Sequence, residues 1–261
     1  MLLLLDFFRI VAKTASLPLK RKGVTRIICI GDSITYGHGS SNSHEHSYPY
    51  LLSKLLNESR HEVFNLGLGS RTMMKKGDRP YWDEKQYQDA IHSQADIIFL
   101  MLGTNDAKIY QWNVNAFTTD YVEMGNELLK STNAKLYLMI PPPLYKETFW
   151  KMNQTVINDI FPKLIPEIAS EISANGVIDL FQAFGGTNLT MSNFLADGCH
   201  PNDQGYQLIA ETIYGDVFVT EQSDNQNESL ICDLATLMFC IFVFWRIVNF
   251  TCCNERKNRF V

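Results

Sequence analysis

The chain has 261 residues, 46% hydrophobic and 20% charged, with a formal net charge of −5, enough to bury a sizeable core as one domain with appendages. The acidic balance (pI about 5.7) offers no basic field for nucleic acid and excludes that class of partner. The six cysteines (Cys29, Cys199, Cys232, Cys240, Cys252, Cys253) are too few and too uneven for a disulfide framework, and no CxxC supports a zinc site.

Residues 1–23 open on Met1-Leu2-Leu3-Leu4-Leu5 and end in Lys20-Arg21-Lys22-Gly23, with Asp6 and Arg9 interrupting the apolar run. A poor signal peptide, a membrane-surface helix and a frayed amphipathic terminus all fit that pattern. Residues 24–220 then alternate short apolar runs with helical patterns. Strands are expected at Thr25–Ile30, Glu62–Leu66, Ala95–Leu102, Ala134–Ile140 and Val177–Leu180. Helices are expected near Tyr48–Asn57, Asp83–His92, Asn115–Ser131, Met152–Ser173 and Asp203–Val217, with Pro162 and Pro166 kinking or splitting the fourth. This alternation predicts a parallel five-stranded sheet covered on both faces, a three-layer α/β/α domain.

Residues 221–229 read as a polar linker. Residues 230–250 are mostly apolar, with Asp233 and Arg246 near the ends, and have the length of a transmembrane helix. A basic tail follows at 251–261, its Cys252-Cys253 pair a candidate for palmitoylation. The positive-inside rule places that tail in the cytosol. The domain would then be lumenal or extracellular, which needs a targeting signal stronger than residues 1–23 offer. Membrane association through residues 230–250 is therefore expected, with its orientation open. Nothing in the chain indicates an oligomeric state.

The chemistry gathers where strands end. Ile27-Ile28-Cys29-Ile30 stops at Gly31-Asp32-Ser33, putting a hydroxyl at the carboxyl end of the first strand, where open α/β sheets place their ligands. A serine nucleophile needs a base and a group that orients the base. Of six histidines, His200 stands apart, because Asp197-Gly198-Cys199-His200-Pro201 lies beyond the last strand and just before a helix. Asp197 is spaced to reach the imidazole across one turn. His44-Glu45-His46 hints at a metal but sits in a polar, loop-like segment with no third ligand, and His61 and His92 fall at element ends on the surface. For an oxyanion site there are two candidates: the glycine turn Asn65-Leu66-Gly67-Leu68-Gly69-Ser70 and the side chain of Asn105 in Gly103-Thr104-Asn105-Asp106. Each alone reads equally as turn chemistry; together on one rim they fit acyl transfer.

These four segments, in this order, resemble the blocks of the SGNH (GDSL-type) hydrolases, over residues 25 to about 215. The resemblance implies a flavodoxin-like sheet and ester hydrolysis that uses neither metal nor cofactor. It also implies Ser33 as nucleophile, His200 as base and Asp197 as its orienter. Asn105, the Ser33 N–H and a backbone N–H of the second block would form the oxyanion hole. In many members that block reads Asn-x-Gly-x-Ser-Gly, with the last glycine donating. Here the pair is inverted as Gly69-Ser70, so either residue qualifies. Acetylated carbohydrate, a short acyl ester and a lysophospholipid all remain open as substrates, and similarity to bacterial acetyl-esterases favours short acyl groups on a sugar or small molecule. Tyr36, Tyr48, Tyr81, Trp82, Trp112, Tyr145 and Trp150 are candidates for a sugar platform, although packing is their commoner use. The rival reading is a catalytically silent, membrane-tethered binding module of the same fold.

Overall fold

The structure, a computed structural model, describes residues 17–146, 150–186, 193–194 and 197–219. The chain divides into two compact units, Met1–Tyr214 and Gly215–Val261, and the sheet and every candidate site residue belong to the first. The expected membrane span at 230–250 and most of the N-terminal segment lie outside the described residues. Among the described residues no helix is long and apolar enough to cross a membrane.

Five parallel strands form one sheet: β1 Thr25–Gly31, β2 His61–Gly67, β3 Ile97–Met101, β4 Lys135–Ile140 and β5 Gly176–Asp179, in the order β2-β1-β3-β4-β5. β1 and β3 are buried almost throughout, because interior strands of a parallel sheet are covered on both faces and can be apolar at every position. Side-chain alternation divides that burial. Ile28, Ile30, Ile98, Leu100, Leu136 and Leu138 enter a core with Phe117, Tyr121, Phe161 and Ile165. Cys29, of opposite parity, instead meets Tyr48.

Eight helices are described: α1 Ser33–Tyr36, α2 Ser43–His46, α3 Tyr48–Leu55, α4 Lys85–Ile91, α5 Val114–Thr132, α6 Phe161–Glu171, α7 Leu180–Ala183 and α8 Asp203–Ile213. Helices α4, α5 and α6 pack side by side as one layer, and α3, α7 and α8 as the other. Two expected helices differ in form. The one expected over Met152–Ser173 is a π turn at Val156–Ile160 followed by α6, with Pro162 in the first turn of α6 and Pro166 inside it. Proline lacks the N–H that would continue the α ladder, and the winding changes from π to α where Pro162 stands, with the backbone helical on both sides. The last helix ends at Ile213, and a π turn covers Tyr214–Val219. His44 and His46 lie on the exposed helical turn α2 rather than in a loop, with the His46 Nδ1 2.5 Å from Ser41 Oγ.

The strand order positions the site. From β1 the chain moves outward to β2, then crosses back to β3 on the other side. The sheet therefore changes winding direction at β1 and β3, which opens a crevice beyond their carboxyl ends. Ser33 follows β1 and Asn105 follows β3.

Candidate active site

Gly31 ends β1 because nothing larger fits: a Cβ there would lie 2.1 Å from Thr35 Oγ1 and 2.6 Å from the Met101 carbonyl oxygen. Asp32 is the N-cap of α1, its Oδ1 accepting from the Ile34 N–H at 2.9 Å. Ser33 is thus the first residue of a one-turn helix and is partly exposed, while its neighbours Asp32 and Ile34 are buried. Gly67 ends β2 so close to this turn that a Cβ would stand 2.2 Å from the Tyr36 nitrogen. Asn65 secures the approach: its Oδ1 accepts from the Gly67 N–H at 2.9 Å and its Nδ2 donates to the Tyr36 carbonyl at 3.4 Å.

The structure brings Ser33, His200 and Asp197 into one hydrogen-bonded chain. Ser33 Oγ lies 2.9 Å from His200 Nε2, and His200 Nδ1 lies 2.7 Å from Asp197 Oδ2. The other Asp197 oxygen accepts from the N–H groups of Cys199 at 2.9 Å and His200 at 3.0 Å. The carboxylate therefore shapes the turn as well as the imidazole. Gly198, at φ +80, supplies the left-handed residue this turn requires. Asn202 then caps α8 by accepting from the Gly205 N–H at 3.1 Å.

Partial burial opposes ionisation of Asp197, but hydrogen bonds from the backbone and the imidazole outweigh it and hold the carboxyl below its usual range. An ionised Asp197 accepts a hydrogen bond from Nδ1–H, which fixes the ring proton there and leaves Nε2 facing Ser33 as an acceptor. Burial pulls the His200 pKa below its ordinary 6.5; Asp197 opposes that shift and His38 adds to it.

Asn105 is buried, and its Nδ2 donates to Asp32 Oδ2 at 3.2 Å. An amide has two such hydrogens, so this bond orients the group and leaves the second for a ligand. In the second segment, Gly69 stands beside Ser33, a Cβ on it reaching within 3.9 Å of Ser33 Cβ. Ser70 is left-handed at φ +66. Ser33, His200 and Asp197 are thus joined by hydrogen bonds, Asn105 is tied to Asp32 next to Ser33, and Gly69 stands beside Ser33.

Residues 29–208 match the model of the GDSL-like lipase/acylhydrolase family. The chain belongs to that family. Over 217 residues it is 30% identical to an acetylxylan esterase of Xylanibacter ruminicola, an alignment covering 76% of this chain and 44% of that protein. The chain thus spans less than half the length of that relative. Among solved structures, the fold is similar to the acetyl xylan esterase AlAXEase, with TM-score 0.58 and 21% identity over 74% of this chain and 99% of that one. It is similar too to the lipase/acylhydrolase from Enterococcus faecalis, with TM-score 0.59 and 22% identity over 74% of this chain and 95% of that one. The five-stranded parallel α/β architecture is that of these family structures.

Two residues with no role assigned from the family blocks, His38 and Trp150, also meet His200. The His38 ring stands edge-on to His200 at 4.4 Å, with its carbonyl accepting from Tyr206 Oη at 2.7 Å. Its only sequence signal is position, directly after Gly37, the left-handed C-cap of α1. Trp150 is 39% exposed and meets His200 edge-to-face at 5.6 Å. Tyr48 and Tyr81 are fully buried, and Trp112 packs on Phe117 and Phe161, so these three serve the core. Asp106 is buried and accepts from the N–H groups of Met73 at 2.8 Å and Met74 at 2.7 Å, tying the two glycine segments together. Burial raises the Asp106 carboxyl to about 7 and that of Asp32 to about 6. Among the described residues no group of three or more His, Cys, Asp or Glu is arranged to hold a metal.

Proposed function

We propose that the protein is a carboxylic ester hydrolase that removes short acyl groups, acetyl above all, from carbohydrate through an acyl-enzyme on Ser33. The observation that carries this reading is the Ser33–His200–Asp197 hydrogen-bond chain at the rim of β1. His200 Nε2 takes the Ser33 proton as Oγ attacks the ester carbonyl. In this reading the negative charge formed on the carbonyl oxygen is met by the N–H groups of Ser33 and Ser70 and by Asn105 Nδ2. The protonated imidazole, held by Asp197, releases the alcohol. Water then attacks the acyl-enzyme with His200 again as base. Asp32, by holding Asn105, orients one of the three donors.

The acyl and sugar preference draws support from the acetylxylan esterase relative. The exposed indole of Trp150 beside His200 adds to it, since an aromatic face suits a sugar ring. Turnover of acetylated xylo-oligosaccharide, an octanoyl ester and a lysophospholipid by the purified protein tests it. Acetyl release is expected to have the highest kcat/KM, and a preference for the lysophospholipid would replace this reading with a lipase-type one.

A pH profile tests the base. Only the neutral imidazole accepts the Ser33 proton, so kcat/KM rises with pH as His200 deprotonates. Because burial lowers that pKa, the midpoint is expected below 6.5. A flat profile between pH 4 and 8, or a midpoint above 6.5, counts against His200 as the base.

A further inference from the structure

The segment after β2 contains an ion pair placed on the backbone of the proposed oxyanion hole. Arg71 Nη1 donates to the Gly69 carbonyl at 2.7 Å, and Arg71 Nε donates to Glu84 Oε1, also at 2.7 Å. Both side chains are largely covered, at 18% and 28% exposure. Glu84 has a firm base. It follows the turn Tyr81–Asp83, whose buried Tyr81 donates through Oη to the Leu66 carbonyl at 2.7 Å. The Tyr81 N–H also donates to the Thr72 carbonyl, and the Thr72 N–H to the Arg79 carbonyl. The acid that grips Arg71 is thereby anchored to the end of β2 itself.

The Gly69 carbonyl and the Ser70 N–H belong to one peptide unit. The described residues contain no cis peptide bond, so these two groups point to opposite sides of the chain. Whatever holds the carbonyl therefore sets the direction of the N–H. That direction needs holding, because Ser70 sits at φ +66, where a side chain is strained and glycine is not. Turning this peptide over changes ψ of Gly69 and φ of Ser70 together, as in the interchange of type II and type I turns. The turnover would relieve the strain at Ser70 and swing its N–H away.

We infer that Arg71, braced by Glu84, is a positioning residue that keeps the 69–70 peptide from turning over and so keeps the Ser70 N–H directed at the developing oxyanion. The inference rests on the proposed Ser33 mechanism and on Ser70 as one of its donors. The guanidinium also draws electron density toward the Gly69 carbonyl, which makes the N–H of the same peptide a stronger donor.

Steady-state kinetics on 4-nitrophenyl acetate, with thermal melting of each variant, tests this role. Arg71→Met is expected to lower kcat by about tenfold to a hundredfold, the range for losing a charge-assisted hydrogen bond, with KM within about threefold. Asn105→Ala, which deletes a donor outright, sets the scale at about 10²–10³-fold. Ser70→Gly placed on Arg71→Met removes the reason for the peptide to turn over and is expected to recover most of the lost kcat. Glu84→Gln, a milder change should Arg71→Met fold poorly, is expected to lower kcat by about threefold to tenfold.

If Arg71→Met keeps kcat within about twofold of a wild type that turns over and is labelled at Ser33 by a fluorophosphonate, the positioning role falls and the mechanism stands. A kcat loss that Ser70→Gly does not recover, and that follows the loss of thermal stability, also overturns it. A wild type with neither turnover nor labelling overturns both the role and the mechanism beneath it.

Discussion

Ser33→Ala is expected to lower kcat/KM toward a chromogenic acetyl ester by about 10⁴-fold or more, while the folded protein melts within a few degrees of wild type. The side chain occupies one place on a partly exposed one-turn helix. Among the described residues its Oγ bonds only to His200, so truncation costs the fold little. The activity that remains should reflect the backbone donors and Asn105, which stabilise a water-borne attack without a covalent intermediate. A fluorophosphonate should label the wild type and leave the variant unmarked. Retention of esterase activity in Ser33→Ala would remove the proposed nucleophile, whereas a wild type with neither turnover nor labelling would leave the silent binding module as the better reading.

Asp197→Asn is expected to lower kcat by about 10⁴-fold with KM little changed, the magnitude found when a triad carboxylate becomes an amide. The geometry makes this a clean substitution. Asparagine retains a carbonyl oxygen for the N–H groups of Cys199 and His200, so the turn carrying His200 persists. Its Nδ2 then faces the imidazole Nδ1, now donor to donor. Relief comes from moving the ring proton to Nε2, which is the atom that must accept from Ser33. Asp197→Ala would strand two backbone N–H groups and confuse a loss of chemistry with a loss of fold. An Asp197→Asn enzyme within about tenfold of wild type would reduce the carboxylate to a turn-former.

Much of the architecture could be read from the chain because parallel strands are buried on both faces and so appear as unbroken apolar runs. Thr25–Gly31 and Ile97–Met101 are the clearest, and all five expected strands are present within a few residues of their expected ends. Helix ends were less legible, since they depend on caps and on proline. Asn113 and Asn133 bound α5, while the first part of another expected helix is wound as a π turn before Pro162. The six candidate site residues could be read because each stands just past a strand or on the loop before α8.

Other parts of the site left no local trace. Asn105 was legible as an amide on the rim, but not that Asp32 orients it from 73 positions away in the chain. Trp150 carried the same composition signal as Tyr48 and Tyr81, yet only burial separates a residue facing the crevice from residues filling the core. His38 and Arg71 followed motif residues without belonging to a motif, and their contacts with His200, Gly69 and Glu84 exist only once the sheet has gathered its loops.

Gly31-Asp32-Ser33, the glycine turn after β2, Asn105 and the Asp197–His200 pair were determined by the sequence itself, because strand patterning and turn residues act over a few positions. Which groups meet was decided by tertiary structure alone. The strand order β2-β1-β3 opens the crevice and brings Ser33 to His200 across 167 positions of chain. Ser70 shows the division at one residue. The sequence offered Gly69-Ser70 as two equal candidates for a donor. The fold makes Ser70 left-handed and bonds the carbonyl of that same peptide to Arg71, because loops converging on one rim must satisfy their backbone groups with whatever side chains stand there.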